Sequence, residues 1–202
     1  MKNKNWFIIL LALLFLIITI LVINNNYFVI NLNNSVKIFI ETHQSPTIQN
    51  FMLSITKVVN VYEATVIFLI FGLLLILKNK KSFYIFAIST ILGTVSSWII
   101  KTLTQIQRPS LLIEHNLSFP SSHATVATIF LLSGIFLISP LIKSNFSRNI
   151  FLITVSIIFP LVIFSRIYLS VHWTSDVVAG VILGLISFVF AKKCANISKK
   201  KL

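Results

Sequence analysis

The chain's only aspartate follows a histidine by four positions, within the stretch SRIYLSVHWTSD at residues 165–176. Residues four apart lie on the same face of a helical turn, so the Asp176 carboxylate can hold one ring nitrogen of His172 protonated. The other ring nitrogen is then free to attack an electrophile. Arg166 stands in the same stretch, and a guanidinium binds anions through paired donors. We therefore predict nucleophilic chemistry on an anionic group.

Two further polar clusters interrupt the apolar sequence. KTLTQIQRP contains Lys101 and Arg108, and FPSSHA contains Ser121, Ser122 and His123. Three cations match a dianionic phosphate, and the amides of residues 121–123 add donors if they open a helix. Two histidines and one aspartate are too few ligands for a hard metal ion or for zinc. The clusters therefore predict a phosphate site with no metal and no cofactor.

The composition is that of an integral membrane protein. Of its 202 residues, 56% are hydrophobic and only 10% are charged, whereas soluble domains are about 25% charged. The net charge of +13 comes from cations between apolar segments rather than from a basic face, so we expect no nucleic-acid partner. Only five glycines are present, so close glycine-driven helix packing is not an obvious feature of the sequence.

Six apolar segments are long enough to cross a bilayer, which needs roughly 17–25 residues in a helix. They cover about residues 6–23, 61–77, 82–100, 124–142, 150–164 with its continuation, and 176–191. We predict an all-α protein, a bundle of six transmembrane helices in one domain spanning residues 1–202. Pro160 is expected to bend or loosen the fifth span.

The region between the first two spans, residues 24–60, is too polar to cross a membrane. Its second half, PTIQNFMLSITKVV, has apolar residues at near-helical spacing and predicts an amphipathic helix in the membrane interface. Such a helix could cover the site, and a simple packing role is equally compatible with the pattern.

The distribution of lysine and arginine predicts the orientation. Twelve of the 17 fall on the side of both termini and five on the other side, which places both termini in the cytoplasm. Odd-numbered spans then run outward and even-numbered spans return. All three polar clusters consequently reach the extracytoplasmic face.

The clusters resemble the three-part signature of the type-2 phosphatidic acid phosphatase superfamily, which includes membrane lipid phosphatases and vanadium-dependent haloperoxidases. The matching pattern is Lys, six residues, Arg-Pro; then Pro-Ser-x-His; then Ser-Arg, five residues, His, three residues, Asp. These motifs cover residues 101–176, and the six spans extend the likeness over nearly the whole chain. Three spaced motifs in the right order are a specific signal.

The resemblance implies a role for each matching position. His172 would form a phosphohistidine, Asp176 would orient it, and His123 would protonate the leaving oxygen and later activate water. The phosphate-binding residues would be Lys101, Arg108, Arg166, Ser121 and the amide of Ser122. The superfamily usually has glycine at position 122, so the serine side chain is expected to crowd the phosphate pocket without inactivating the protein.

The resemblance and the topology imply a metal-independent phosphatase whose substrate is a lipid phosphate. The surrounding membrane lipids are its other expected partners. Undecaprenyl diphosphate is the favoured substrate. Phosphatidylglycerophosphate or phosphatidate is the alternative, and a lipid phosphotransferase would share the first half-reaction. A transporter or scaffold remains the non-enzyme alternative, although transporters place polar groups near the bilayer midplane and this chain has them at helix ends. The mechanism needs neutral His172 and charged His123, which predicts a bell-shaped pH profile.

Overall fold

The computed structural model describes residues 5–110 and 116–197, and all regular secondary structure in these ranges is helical. The predicted all-α fold is therefore confirmed. Eight α-helices lie in the described part of the chain: α1 (Asn5–Ile23), α2 (Tyr27–Thr42), α3 (Pro46–Thr56), α4 (Val61–Lys78), α5 (Lys80–Thr104), α6 (Ser122–Ser133), α7 (Asn145–Tyr168) and α8 (Thr174–Ile197).

Six helical segments within these ranges are long and apolar enough to cross a membrane, and they correspond to the six predicted spans. They are α1, α4, α5, α6 with its continuation, α7 and α8. The helices α5, α7 and α8 extend beyond the predicted apolar runs at both ends, because polar residues form their outer turns. The helix α7 continues through Pro160. Five lysines used to predict the orientation, at positions 2, 4 and 199–201, lie outside the described residues.

The fourth span changes its helical geometry part-way. After Ser133 the backbone is π-helical over Gly134–Ile138 and then forms a 3₁₀ turn over Ser139–Leu141. Pro140 lies in this turn and has no backbone N–H to donate, so a regular α-helix cannot hold its full bonding pattern there. The apolar run at 124–142 predicts the span but not this change.

The region between α1 and α4 contains two α-helices and a 3₁₀ turn over Lys57–Val59, where the sequence predicted one helix. The expected amphipathic helix is α3, which buries Met52 and Thr56 and leaves Ile48 and Phe51 largely exposed. The additional helix is α2, whose first turn is capped by the Asn26 side chain accepting from the amide of residue 28 at 3.1 Å. Low-propensity asparagines within α2 obscure its periodicity in the sequence.

The helices α6 and α8 form the centre of the bundle, whereas α1 and α4 expose most of their apolar side chains, as lipid-facing spans do. Gly180 and Gly184, one turn apart on α8, allow this close contact. A Cβ atom at Gly180 would lie 2.5 Å from the Ser121 carbonyl oxygen, and one at Gly184 would lie 2.8 Å from that of Thr125. The low number of glycines did not indicate this contact, because a few glycines at one place are sufficient for it.

We expect Gly180→Ala to destabilise the protein by about 1–3 kcal/mol, because the new methyl group meets backbone that cannot move aside without shifting α6. Thermal unfolding in detergent measures this effect. Gly72→Ala is the matched control, since its Cβ would lie 3.6 Å from the Phe83 ring, an ordinary contact distance. Equal unfolding temperatures for the two variants would contradict the role given to Gly180.

Candidate active site

The three polar clusters meet at one end of the bundle, where α5 and α7 end and α6 and α8 begin. The backbone N–H of Ser121, just before α6, donates to the carbonyl oxygen of Asp176 in the first turn of α8 at 3.0 Å. The His172 amide donates to the carbonyl oxygen of Arg166 at 3.1 Å, which folds the chain back between α7 and α8. The helix termini therefore fix the relative positions of the clusters.

The His172 ring is buried and is contacted on both nitrogens. Nη1 of Arg108 lies 2.9 Å from Nε2. A guanidinium can only donate, so Nε2 accepts this hydrogen bond and Nδ1 carries the ring proton. The structure thus presents the lone pair of Nε2 to a cationic, anion-binding group.

The Nδ1 side of His172 faces a serine as well as the predicted aspartate. Ser118 Oγ lies 3.2 Å from Nδ1, and Asp176 Oδ2 lies 3.4 Å from it. The Ser118 hydroxyl donates to the same carboxylate oxygen. Asp176 also accepts from the backbone N–H of Trp173 at 2.9 Å. Ser118 therefore contacts both the histidine and the carboxylate, and no sequence motif indicated it because it lies in the loop before α6.

We expect Ser118→Ala to lower kcat about 10- to 100-fold with little change in KM, because Nδ1 loses a partner that holds its tautomer. Steady-state hydrolysis measures the split between the two constants. Ser89→Ala is the matched control, since Ser89 is also buried but bonds only to the Phe86 carbonyl oxygen of its own helix. A kcat equal to that of the control would exclude Ser118 from the orientation of His172.

Burial lowers the pKa of His172 well below its usual value, and the charges of Arg108 and Arg166 lower it further. Both causes disfavour the imidazolium form. The neutral, nucleophilic form consequently persists in acid solution where an ordinary histidine would be protonated.

Arg108 and Lys101 hold the loop that carries Ser118. Besides its contact with His172, the Arg108 guanidinium donates to the Val171 carbonyl oxygen at 2.5 Å, and its Nε donates to the Asn116 carbonyl oxygen at 2.9 Å. Nζ of Lys101 donates to the carbonyl oxygens of residues 117 and 118 at 2.8 and 2.9 Å.

Arg166 brings a third cation to the site from the last turn of α7. Its side chain is 1% exposed, and its Nη1 donates to Oγ1 of Thr56, at the end of α3, at 2.6 Å. Buried cations are costly unless they are compensated by negative charge. Among the described residues, three cations and the Asp176 carboxylate meet around His172, and a cluster of cations suits an anion.

The start of α6 supplies the remaining predicted residues. Ser121 precedes the helix, and its side chain accepts from the Ala124 amide at 3.4 Å as an N-cap. The Ser122 hydroxyl lies 2.8 Å from that of Ser97 on α5. The extra side chain at position 122 therefore has a hydrogen-bonding partner on a neighbouring helix.

His123, the next residue of α6, contacts the short segment that joins α3 to α4. Its Nε2 lies 3.1 Å from Oδ1 of Asn60, immediately before α4. Because an amide oxygen can only accept, this nitrogen of His123 carries a proton. Asn60 was not among the predicted site residues, since it lies at the polar end of a segment without a motif.

An apolar groove of about 360 Å³ leads to His123 and Ser122. Its walls come from α4, α5 and α6, and they include Ala64, Phe68, Ile91, Val126 and Phe130. Thr65, Thr90 and Thr94 are the other side chains with hydroxyl groups along it. The groove thus joins a polar site to a surface that can hold a hydrocarbon chain.

The model of the PAP2 superfamily matches residues 82–200, more than half of the chain. The chain belongs to the PAP2 superfamily. This PAP2 protein is 30% identical over 167 residues to an undecaprenyl-diphosphatase of Sulfolobus acidocaldarius, a match that covers 76% of this chain and 75% of that protein. It is 33% identical over 98 residues to phosphatidylglycerophosphatase B of Bacillus subtilis, covering 46% of this chain and 48% of that protein.

Two crystal structures share the fold. A transmembrane PAP2-type phosphatidylglycerolphosphate phosphatase from Bacillus subtilis superimposes with a TM-score of 0.80 at 23% identity, covering 96% of each chain. Aquifex aeolicus LpxE superimposes with a TM-score of 0.64 at 21% identity, covering 80% of this chain and 95% of the other. The predicted superfamily is confirmed, and the protein is a membrane lipid phosphatase, a hydrolase of phosphate esters.

All eight predicted site residues lie at the same end of the PAP2 fold, in the order given by the three motifs: Lys101, Arg108, Ser121, Ser122, His123, Arg166, His172 and Asp176. The catalytic and phosphate-binding roles assigned to them stay predictions. In the described ranges, no three side chains from histidine, cysteine, aspartate and glutamate are grouped so that they could hold a metal ion.

Proposed function

We propose that this PAP2 phosphatase hydrolyses undecaprenyl diphosphate at the extracytoplasmic face, with both termini in the cytoplasm and residues 1–202 acting as one domain. The observation that carries the proposal is the apolar groove that ends beside His123, close to the cluster of Lys101, Arg108 and Arg166 around His172. A long hydrocarbon chain fits the groove, and a terminal phosphate fits the cations. The likeness to an undecaprenyl-diphosphatase supports the same substrate.

In the first half-reaction, Nε2 of His172 attacks the terminal phosphorus in line with the bond to the departing lipid phosphate. The P–O bond breaks as the N–P bond forms, and His123 transfers a proton to the leaving oxygen. Asp176 and Ser118 stabilise the charged ring through Nδ1, where the proton remains. Arg108 contacts Nε2 before substrate binds, so this donor must pass to a phosphate oxygen when the attack begins.

In the second half-reaction, His123 takes a proton from water, and the resulting hydroxide attacks the phosphohistidine. The N–P bond breaks, inorganic phosphate leaves, and His172 regains its lone pair. Arg108, Arg166 and Lys101 stabilise the negative charge of both transition states. The backbone N–H groups at the start of α6 add donors and the positive end of a helix.

The test is phosphate release by the purified protein in detergent with EDTA present. The substrates are undecaprenyl diphosphate, phosphatidylglycerophosphate and phosphatidate, and His172→Ala gives the background rate. We expect the highest kcat/KM for undecaprenyl diphosphate. A clear preference for phosphatidylglycerophosphate would overturn the choice of undecaprenyl diphosphate and would agree with the name of the Bacillus subtilis phosphatidylglycerophosphatase. Loss of all activity in EDTA would overturn the metal-independent mechanism.

A phosphotransferase would form the same phosphohistidine and pass the phosphoryl group to a second lipid instead of water. Adding unlabelled acceptor lipids to the same assay distinguishes the two reactions. With a substrate labelled in its terminal phosphate, we expect the label to be released as inorganic phosphate. Labelled acceptor lipid as the main product would overturn the hydrolase proposal.

A further inference from the structure

The helix α2 contacts both loops that carry the site, although it lies before the residues matched to the superfamily. Nδ2 of Asn33 donates to the Ser175 hydroxyl at 3.0 Å, and Oδ1 of Asn33 accepts from the Ser175 backbone N–H at 3.1 Å. Nζ of Lys37 donates to the carbonyl oxygen of Pro109 at 3.2 Å. These contacts join residues more than 70 positions apart in the chain.

The Ser175 amide is one of the donors that a helix leaves without a partner in its own first turn. The helix α8 begins at Thr174, and His172 lies two residues before it. Asp176 bonds back to the Trp173 amide, which is half of a capping box. Asn33 accepts from a further donor of this turn, the Ser175 amide, so a side chain of α2 contributes to the cap of α8.

The contacts of α2 lie along one stripe of the helix. Asn33, Lys37 and Ile40 occupy positions i, i+4 and i+7, which share a face. Ile40 is buried in a cluster with Tyr168, Leu169 and Val171, the segment just before His172. The stripe therefore contacts the chain on both sides of His172 and the loop beside Arg108.

The geometry points to Asn33 as a positioning residue for His172, and to α2 as the element that holds the His172 loop against the Arg108 loop. Asn33 fixes the first turn of α8, which fixes Asp176 and the backbone leading from His172. Lys37 fixes Pro109 and with it the adjacent Arg108. The inference rests on the proposed role of His172 as nucleophile, because only then does its placement control the rate.

The test compares Asn33→Ala with Asn33→Asp and with Asn34→Ala, a control at the exposed neighbouring position. Alanine removes both bonds to Ser175, whereas aspartate keeps the acceptor for the Ser175 amide and adds a charge that suits a helix N-terminus. We expect Asn33→Ala to lower kcat about 10- to 100-fold at nearly constant KM. Asn33→Asp should recover most of the loss, and Asn34→Ala should match the wild type.

Hydrogen exchange of the peptide covering residues 171–177 is the second measurement, and it does not depend on activity. Asn33→Ala should exchange faster there, with Asn33→Asp close to the wild type. An unchanged exchange rate or an unchanged kcat in Asn33→Ala would overturn the inference. An equal loss of kcat in Asn33→Ala and Asn33→Asp, together with a lowered unfolding temperature, would also overturn it. A wild type inactive on every lipid would overturn the proposed function instead, and the exchange data would still decide whether Asn33 caps α8.

Discussion

His172→Ala is expected to lower kcat by at least about 10⁴-fold on any lipid phosphate that the wild type hydrolyses. The variant loses the nitrogen that is proposed to attack phosphorus, and the remaining cations can then only bind the substrate and stabilise charge. Because Arg108, Arg166 and Lys101 remain, binding of the lipid should survive. The measurement is steady-state hydrolysis together with a direct binding assay for the substrate.

Covalent labelling makes this prediction specific to a nucleophile. After brief reaction with a substrate labelled in the terminal phosphate and an alkaline quench, the wild type should carry label on His172. His43→Ala is the matched control, since His43 lies at the exposed end of α2 and bonds to the Phe39 carbonyl oxygen. Label retained in His172→Ala would contradict the assignment, and so would a loss of activity in His43→Ala of similar size.

Arg108→Gln is expected to lower kcat/KM about 10²- to 10³-fold and to change the pH dependence. The glutamine removes a donor for the transferred phosphate and a positive charge from beside His172. This charge is one cause of the lowered pKa of His172, so its loss raises that pKa. Activity requires the neutral imidazole and is lost as the pH falls through the pKa. The acidic limb of the pH profile should therefore move to higher pH in the variant.

The pH profile of kcat/KM separates this effect from simple loss of a contact. Arg148→Gln is the matched control, because it removes the same charge from the protein at a distance from the site. Arg148 bonds to Asn145 at the opposite end of α7. An acidic limb that stays in place in Arg108→Gln would show that the charge of Arg108 does not act on His172. A shift of equal size in Arg148→Gln would assign the effect to net charge.

The sequence predicted the six spans and the motif residues because both leave local patterns. An apolar run marks a span, and the spacing of His172 and Asp176 places them on one helical turn. The ends of the helices are determined by single capping residues such as Ser121. An apolar run does not show where these caps lie. The helix α2 was missed for the related reason that its stabilising contacts are made with distant loops.

The supporting residues of the site could not be predicted in the same way. Each supporting residue contacts a site residue that is distant in the chain. Ser118 contacts His172, Asn60 contacts His123, and Thr56 contacts Arg166. None of them belongs to a motif, and serine, threonine and asparagine are ordinary residues near helix ends. Only the packing of the helices determines which of these side chains meet the charged groups.

The backbone contact of α6 and α8 at Gly180 and Gly184 has an evolutionary consequence. Because α6 begins beside His123 and α8 begins just after His172, a substitution at this contact is expected to displace both residues of the proposed acid–nucleophile pair together. The groove is bordered by α4, one of the least buried spans, where substitutions disturb little else. Lipid preference can therefore diversify by drift on α4 while the reaction is conserved.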